Sequence, residues 1–195
     1  MGKRGILFSY MKSEGRTQSY LLSIWYQPSR TIRELQSNNA GHGMALLVAG
    51  VFGLLNSARF YLGSGGKSAV WLFAGVGLGI GMLYLMAQLV RNFSRWFGGR
   101  AECRIVRVGI GLALLPWTVL SGVLLYFLMA DFDAVRLQSL GSVMMLGFIY
   151  GFIILLLATR TALEVSPLRT FASLMLAGLV AFFSITFMLS FFVRV

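Results

Sequence analysis

The chain is poor in the residues that carry most protein chemistry. It has one cysteine, Cys103, one histidine, His42, and only six aspartates and glutamates among 195 residues. A single cysteine excludes an intramolecular disulfide and leaves the redox compartment undetermined. One cysteine and one histidine cannot hold a metal without several carboxylates, so no metal or other cofactor is expected. An intramembrane serine protease needs a serine and a histidine buried together. A metalloprotease or prenyl-type protease needs paired histidines or glutamates on a helix. Neither set is present. His42 stands alone in Asn39-Ala40-Gly41-His42-Gly43 and is expected to be solvated. The chain reads as a non-enzyme with no catalytic residues.

Charge is scarce as well. Charged residues make up 12% of the chain against 57% hydrophobic, and the mean hydropathy is +0.78. A soluble domain carries roughly 25% charged residues, so part of this protein's solvent must be lipid. Seventeen lysines and arginines against six acids give a net charge of +11. No basic face stands apart from the apolar runs, which argues against nucleic acid as a partner. The excess fits basic loops beside anionic headgroups.

Long apolar runs fill the remainder. Five spans are expected at about 44–62, 69–90, 105–130, 140–158 and 171–193. The shortest, ~19 residues at 1.5 Å each, reaches about 28 Å and crosses the hydrocarbon core. Lipid offers the backbone no hydrogen bonds, so such runs must be helices, and they are too long and unbroken for barrel strands. The fold class is therefore an all-α membrane protein, a five-helix bundle preceded by a short cytoplasmic or interfacial segment. Ser166-Pro167 suits a helix start before the last span. Pro116 removes a backbone hydrogen bond near the middle of the third span and predicts a bend there.

The chain divides into a basic tail over 1–42 and a membrane domain over 43–195. Ile6-Leu7-Phe8 is too short for a secretory signal core. The tail's first residues look dispensable, with Met1 and Met11 both open as the start. Tyr20 to Tyr26 reads as a segment lying on the leaflet surface. Arginines concentrate in the tail, in 91–104 and in 159–170, which alternation puts on one side. The N-terminus is then cytoplasmic and the C-terminus lies across the membrane.

Glycine patterns invite two familiar motifs and satisfy neither. Gly63 to Ser68 ends in Gly-Lys-Ser, but a phosphate loop needs glycine where Tyr61 stands. Gly75, Gly77, Gly79 and Gly81 alternate, but a dinucleotide fingerprint needs glycine at Ile80 or Met82. Pairs four apart, Gly75 with Gly79, Gly77 with Gly81 and Gly147 with Gly151, predict grooves for close helix packing. No acidic residue lies in mid-membrane, which counts against proton coupling.

Two segments carry a resemblance. One is Trp25-Tyr26-Gln27-Pro28-Ser29-Arg30-Thr31-Ile32, an aromatic-x-Pro stretch before the first span. The other is Phe97-Gly98-Gly99-Arg100 followed by Arg104-Ile105-Val106, leading to Leu114-Leu115-Pro116-Trp117. In order and spacing they resemble the Yip1 family of small five-span membrane proteins, over roughly Ser23 to Val193. Glu102 and Cys103 depart from the small or neutral residues of that pattern. The short tail and loops look like the prokaryotic branch, which implies a bacterial inner-membrane location. Eukaryotic members are linked to Rab GTPases and membrane traffic. The family brings no catalytic residues.

The resemblance implies a role in membrane organisation or in protein and lipid interaction. The competing class is a transporter or channel subunit for a neutral or lipid-like substrate, its path lined by Pro116, the second-span glycines and Tyr84. Interaction positions are expected at Trp25, Pro28, Arg95, Gly98, Gly99, Arg100, Arg104 and Pro116. The partners are the lipid bilayer, anionic lipid, and a membrane or cytoplasmic protein. Partner identity, transport and oligomeric state are not set by the sequence.

Overall fold

A computed structural model describes residues 20–63, 70–130 and 134–193. The expectations for the first nineteen residues and for the Gly-Lys-Ser turn lie outside them. Among the described residues there is no strand. A helical stretch over 20–26 precedes seven helices: α1 (Pro28–Ser37), α2 (His42–Gly63), α3 (Val70–Trp96), α4 (Cys103–Ala113), α5 (Leu115–Met129), α6 (Ala134–Leu163) and α7 (Pro167–Val193).

Five segments are long and apolar enough to cross a membrane: His42–Leu62, Val70–Trp96, Cys103–Met129, Gly141–Leu163 and Pro167–Ser184. Each expected span is found, with shifted ends. Hydropathy reading stopped at Arg91 and before Arg160, yet both lie inside helices. A helix runs on past the hydrocarbon until it is capped. Arg95 and Arg160 in the last turns of α3 and α6 also face the negative end of the helix dipole favourably.

The third span is one crossing built from two helices. The break falls at Leu114, two residues before Pro116. Pro116 has no N–H for the Leu112 carbonyl, and its ring disfavours a continuous helix through the preceding turn. Thr118 lies one turn on, where its backbone N–H and its hydroxyl both donate to the Leu114 carbonyl, at 2.8 and 2.9 Å. The last helix begins at Pro167 as expected, with the Thr170 N–H reaching the Ser166 carbonyl at 3.0 Å.

Packing follows small residues. The most extensive helix contact is α2 with α3. There the Gly75–Gly79 groove meets α2. A β-carbon at Gly79 would overlap the Ala49 carbonyl oxygen and lie 3.0 Å from the Gly53 α-carbon. One at Gly53 would overlap the Gly75 carbonyl, and one at Gly75 would overlap the Ser57 hydroxyl. The other groove behaves differently: nothing lies within 4 Å of β-carbons placed at Gly77 and Gly81. Gly147 and Gly151 receive α5, with Leu120 at 2.8 Å and Trp117 at 3.0 Å from the added carbons. Backbone approach of this kind brings helices together where lipid supplies no hydrophobic driving force.

The N-terminal segment does more than rest on the membrane surface. Ile24, Ile32 and Leu35 are buried in one core cluster with Val108, Leu112 and Ile154. Its apolar side therefore faces α4 and α6 and not acyl chains alone. Thr31 is buried too, and its hydroxyl donates to the Gln27 carbonyl and pairs with the Ser23 hydroxyl at 2.7 Å. The exposed side carries Arg30 and Glu34, an ion pair at 3.0 Å one turn apart.

Candidate functional site

Three connections gather at one end of the bundle. Arg104 Nη2 donates to the Asn39 carbonyl at 2.9 Å, tying α4 to the α1–α2 junction. Arg169 Nη1 donates to the Phe97 carbonyl at 3.2 Å, tying α7 to the α3–α4 loop. Gln36 Nε2 donates to the Glu164 carboxylate at 3.3 Å, tying α1 to the α6–α7 turn. Residues 91–107 and 160–169 together hold seven arginines against Glu102 and Glu164. The ion pair found among the described residues is Arg30 with Glu34, so this end keeps an uncompensated positive surface.

Glycine shapes the α3–α4 loop. The N–H groups of Phe97 and Gly99 both reach the Ser94 carbonyl, at 3.0 and 2.9 Å, and Gly98 reaches Arg95 at 3.1 Å. Gly98 takes φ +87°, a left-handed conformation that glycine adopts without strain at a helix C-terminus. Gly99 closes over the fully buried Ser94, leaving only 3.0 Å between an added β-carbon and the Ser94 hydroxyl. The turn leaves Arg95 and Arg100 exposed.

The other anticipated positions scatter. Trp25 stacks on Tyr150 at 6.1 Å between ring centroids, and the Tyr150 hydroxyl donates to the Trp25 carbonyl. Pro28 is buried at the first turn of α1. Pro116 packs beside Gly151, 3.3 Å from an added β-carbon. The eleven residues of α4, about 16 Å of helix, separate Pro116 from the glycine loop, so loop and kink do not form one local unit. Arg104 is exposed as Arg95 and Arg100 are, with one guanidinium nitrogen tied to the Asn39 carbonyl.

His42 also departs from its expected solvation. Its ring meets Tyr84 edge-on at 6.4 Å, and its Nδ1 is buried without a hydrogen-bond partner. The Arg107 guanidinium lies 4.3 Å from the centre of the same Tyr84 ring. Arg107, near the start of the third span, packs its charge on an aromatic face while its Nε stays buried and unbonded. Tyr84 therefore serves this cluster and does not line an internal path.

An apolar cavity of about 790 Å³ occupies the other half of the bundle. Gly53 and Gly75 on α2 and α3 form part of its wall, and Met82, Leu114, Trp117 and Leu155 line its interior. Of the residues expected to line a path, Gly75 and Gly79 do so; Pro116, Gly77 and Gly81 are not in the lining. The sequence reading missed Tyr150, Arg107 as a ring ligand, and the cavity lining. The α2 side of the glycine contact had a readable signal, Ala49, Gly53 and Ser57 at four-residue spacing. Among the described residues no three histidines, cysteines or acids come together to hold a metal.

No curated protein and no solved structure matches the chain. The Yip1 domain model matches residues 22–188, which takes in the buried N-terminal segment, the glycine loop, the broken third span and most of the last helix. A match over that much of the sequence, on five apolar helices, shows that this polytopic membrane protein belongs to the Yip1 domain family.

Proposed function

We propose that this chain is a non-enzymatic membrane-organising protein whose basic end, facing the cytoplasm, binds anionic lipid headgroups. The observation that carries this reading is the α3–α4 loop. It is rigidly capped by Gly98 and Gly99, it presents Arg95 and Arg100 to the outside, and no carboxylate neutralises either arginine among the described residues. The excess of basic residues at that end supports an orientation toward the cytoplasmic, anionic leaflet.

Each arginine near such a surface contributes about 1 kcal/mol. Replacing both Arg95 and Arg100 by glutamine therefore removes about 2 kcal/mol, close to a thirty-fold preference. Arg104 is left intact because it holds the α1–α2 junction. The protein is reconstituted in equal phosphatidylglycerol and phosphatidylcholine, and retained lipids are counted by native mass spectrometry. The wild type should retain phosphatidylglycerol preferentially and the double variant should lose that preference at unchanged melting temperature. Equal lipid ratios in the two proteins would overturn the reading.

The cavity favours a second reading, passage of a neutral or lipid-like molecule. Against conduction, the cavity is blind toward the basic end, where Leu83, Ala87, Val106, Leu163 and Ala177 pack as a buried cluster. A flux assay in proteoliposomes separates the two: translocation above protein-free vesicles supports passage.

A further inference from the structure

The cavity in the half of the bundle away from the basic loops is a site in its own right, independent of the arginines. It runs along α3 from Trp71 to Met86, fifteen residues and so about 22 Å of helix. Its volume is about 790 Å³, and it is open along one side, where Leu78 at mid-length is exposed. It suits a hydrocarbon chain, whose carbons contact neighbours at about 4 Å.

Chemistry narrows the occupant further. Asn56 and Ser57 on the wall turn back on their own helix, Asn56 Nδ2 donating to the Phe52 carbonyl at 2.8 Å and the Ser57 hydroxyl to the Leu54 carbonyl at 2.9 Å, while the unbonded indole N–H of Trp117 is buried against Gly151. Water entering would lose its hydrogen bonds, and apolar cavities of this kind stay dry or take apolar ligands. The two methionines facing the lumen, Met82 and Met86, are unbranched and adjust to an irregular apolar shape. Phe60 and Trp71 at the other end and Leu78 at mid-length lie on the rim and are 79, 61 and 66% exposed. On a membrane-spanning bundle these face the bilayer, so the opening is toward acyl chains. The passage is also longer than the roughly 15 Å of hydrocarbon in one leaflet, so an extended chain entering at the rim has room to reach the level of Leu114.

We propose that this cavity is a lipid-binding site that takes one acyl chain of a phospholipid from the leaflet opposite the basic loops. Gly53, Gly75 and Gly79 give the site its smooth wall while they bring α2 and α3 into backbone contact. Leu114 and Trp117, three residues apart across the break in the third span, share the face that lines the lumen.

The test is photolabelling of the full protein in vesicles of phosphatidylcholine that carries a diazirine at the middle of one acyl chain, read by peptide mass spectrometry. Labels are expected on interior positions Met82, Met86, Leu114 and Leu155 as well as on lipid-facing Phe73 and Leu146. Met82→Trp narrows the lumen and should cut interior labelling at least five-fold while Phe73 and Leu146 label as before. Those lipid-facing labels report that the variant is folded in the bilayer. Labelling confined to lipid-facing positions in the wild type overturns the proposal and does not depend on any variant. Interior labelling that persists in Met82→Trp at the wild-type level overturns it too. So does interior labelling by a diazirine fatty acid or isoprenoid alcohol with none by the phospholipid, which assigns the cavity to a free lipid.

Discussion

Alanine at Gly79 and alanine at Gly77 should have opposite effects, although the two positions are only two residues apart on α3. At Gly79 the new methyl group meets the Ala49 carbonyl and the Gly53 backbone; at Gly77 it meets nothing within 4 Å. The gain in helix propensity on replacing glycine, about 1 kcal/mol, is common to both sites and cancels in the difference. Overpacking remains, about 1–3 kcal/mol in well-packed interiors. The upper half of that range applies, because the atoms struck are backbone and cannot rotate away. The two helices must separate, and α2–α3 is the most extensive helix contact. For a chain of this length a difference of about 2–3 kcal/mol corresponds to roughly 5–10 °C in melting temperature. Thermal unfolding in one detergent, followed by loss of the monodisperse peak, measures it. Gly77→Ala should melt at or above the wild type and Gly79→Ala well below it. Equal melting of the two variants would refute the assignment of the 75–79 groove to α2.

Tyr150→Phe removes the hydroxyl that donates to the Trp25 carbonyl and should cost about 1 kcal/mol; hydrogen exchange over 20–26 should accelerate while α3 is unchanged. Tyr84→Leu takes the ring from beneath the Arg107 guanidinium and should lower stability by about 1 kcal/mol, read as the same detergent melt, whereas Tyr84→Phe should retain most of it. Orientation is tested by single cysteines in a Cys103→Ser background. Cysteine at exposed Glu102 should be reached by an impermeant maleimide only from the cytoplasmic side, and cysteine at exposed Ala130 only from outside. Ser94 is unsuitable for that purpose because it is fully buried beneath Gly99.

The legible part of the candidate site was the glycine loop. Gly98-Gly99 after a basic helix end signals a left-handed cap, and the cap is there. Arg95 and Arg100 emerge exposed, as arginines flanking such a turn should. Arg104 looked equivalent in sequence, yet its register on the first turn of α4 points it at Asn39, a residue 65 positions earlier. His42 was misread for the same reason. It is a polar residue near a span end, and only the arrival of Tyr84 from α3, with Arg107 on its ring, shows what it packs against. Tyr150 carried no signal, because a tyrosine within a span resembles any other apolar position until Trp25 packs on it.

The sequence alone determined the five crossings, the absence of strands among the described residues, the helix start at Ser166-Pro167 and the interruption of the third span near Pro116. These depend on the chain's own backbone: in hydrocarbon each segment must satisfy its N–H and C=O groups internally, so apolar length is enough to specify a helix. Which glycine groove packs, where the N-terminal segment lies and the existence of the cavity were decided only by the tertiary structure. Gly75–Gly79 and Gly77–Gly81 are equivalent on an isolated α3. They become different when Ala49, Gly53 and Ser57 approach one and leave the other uncovered. A cavity belongs to no segment, since it is the space left when α2, α3, α4, α5, α6 and α7 cannot close on one another, and that shortfall depends on side-chain shapes from distant parts of the chain meeting at once.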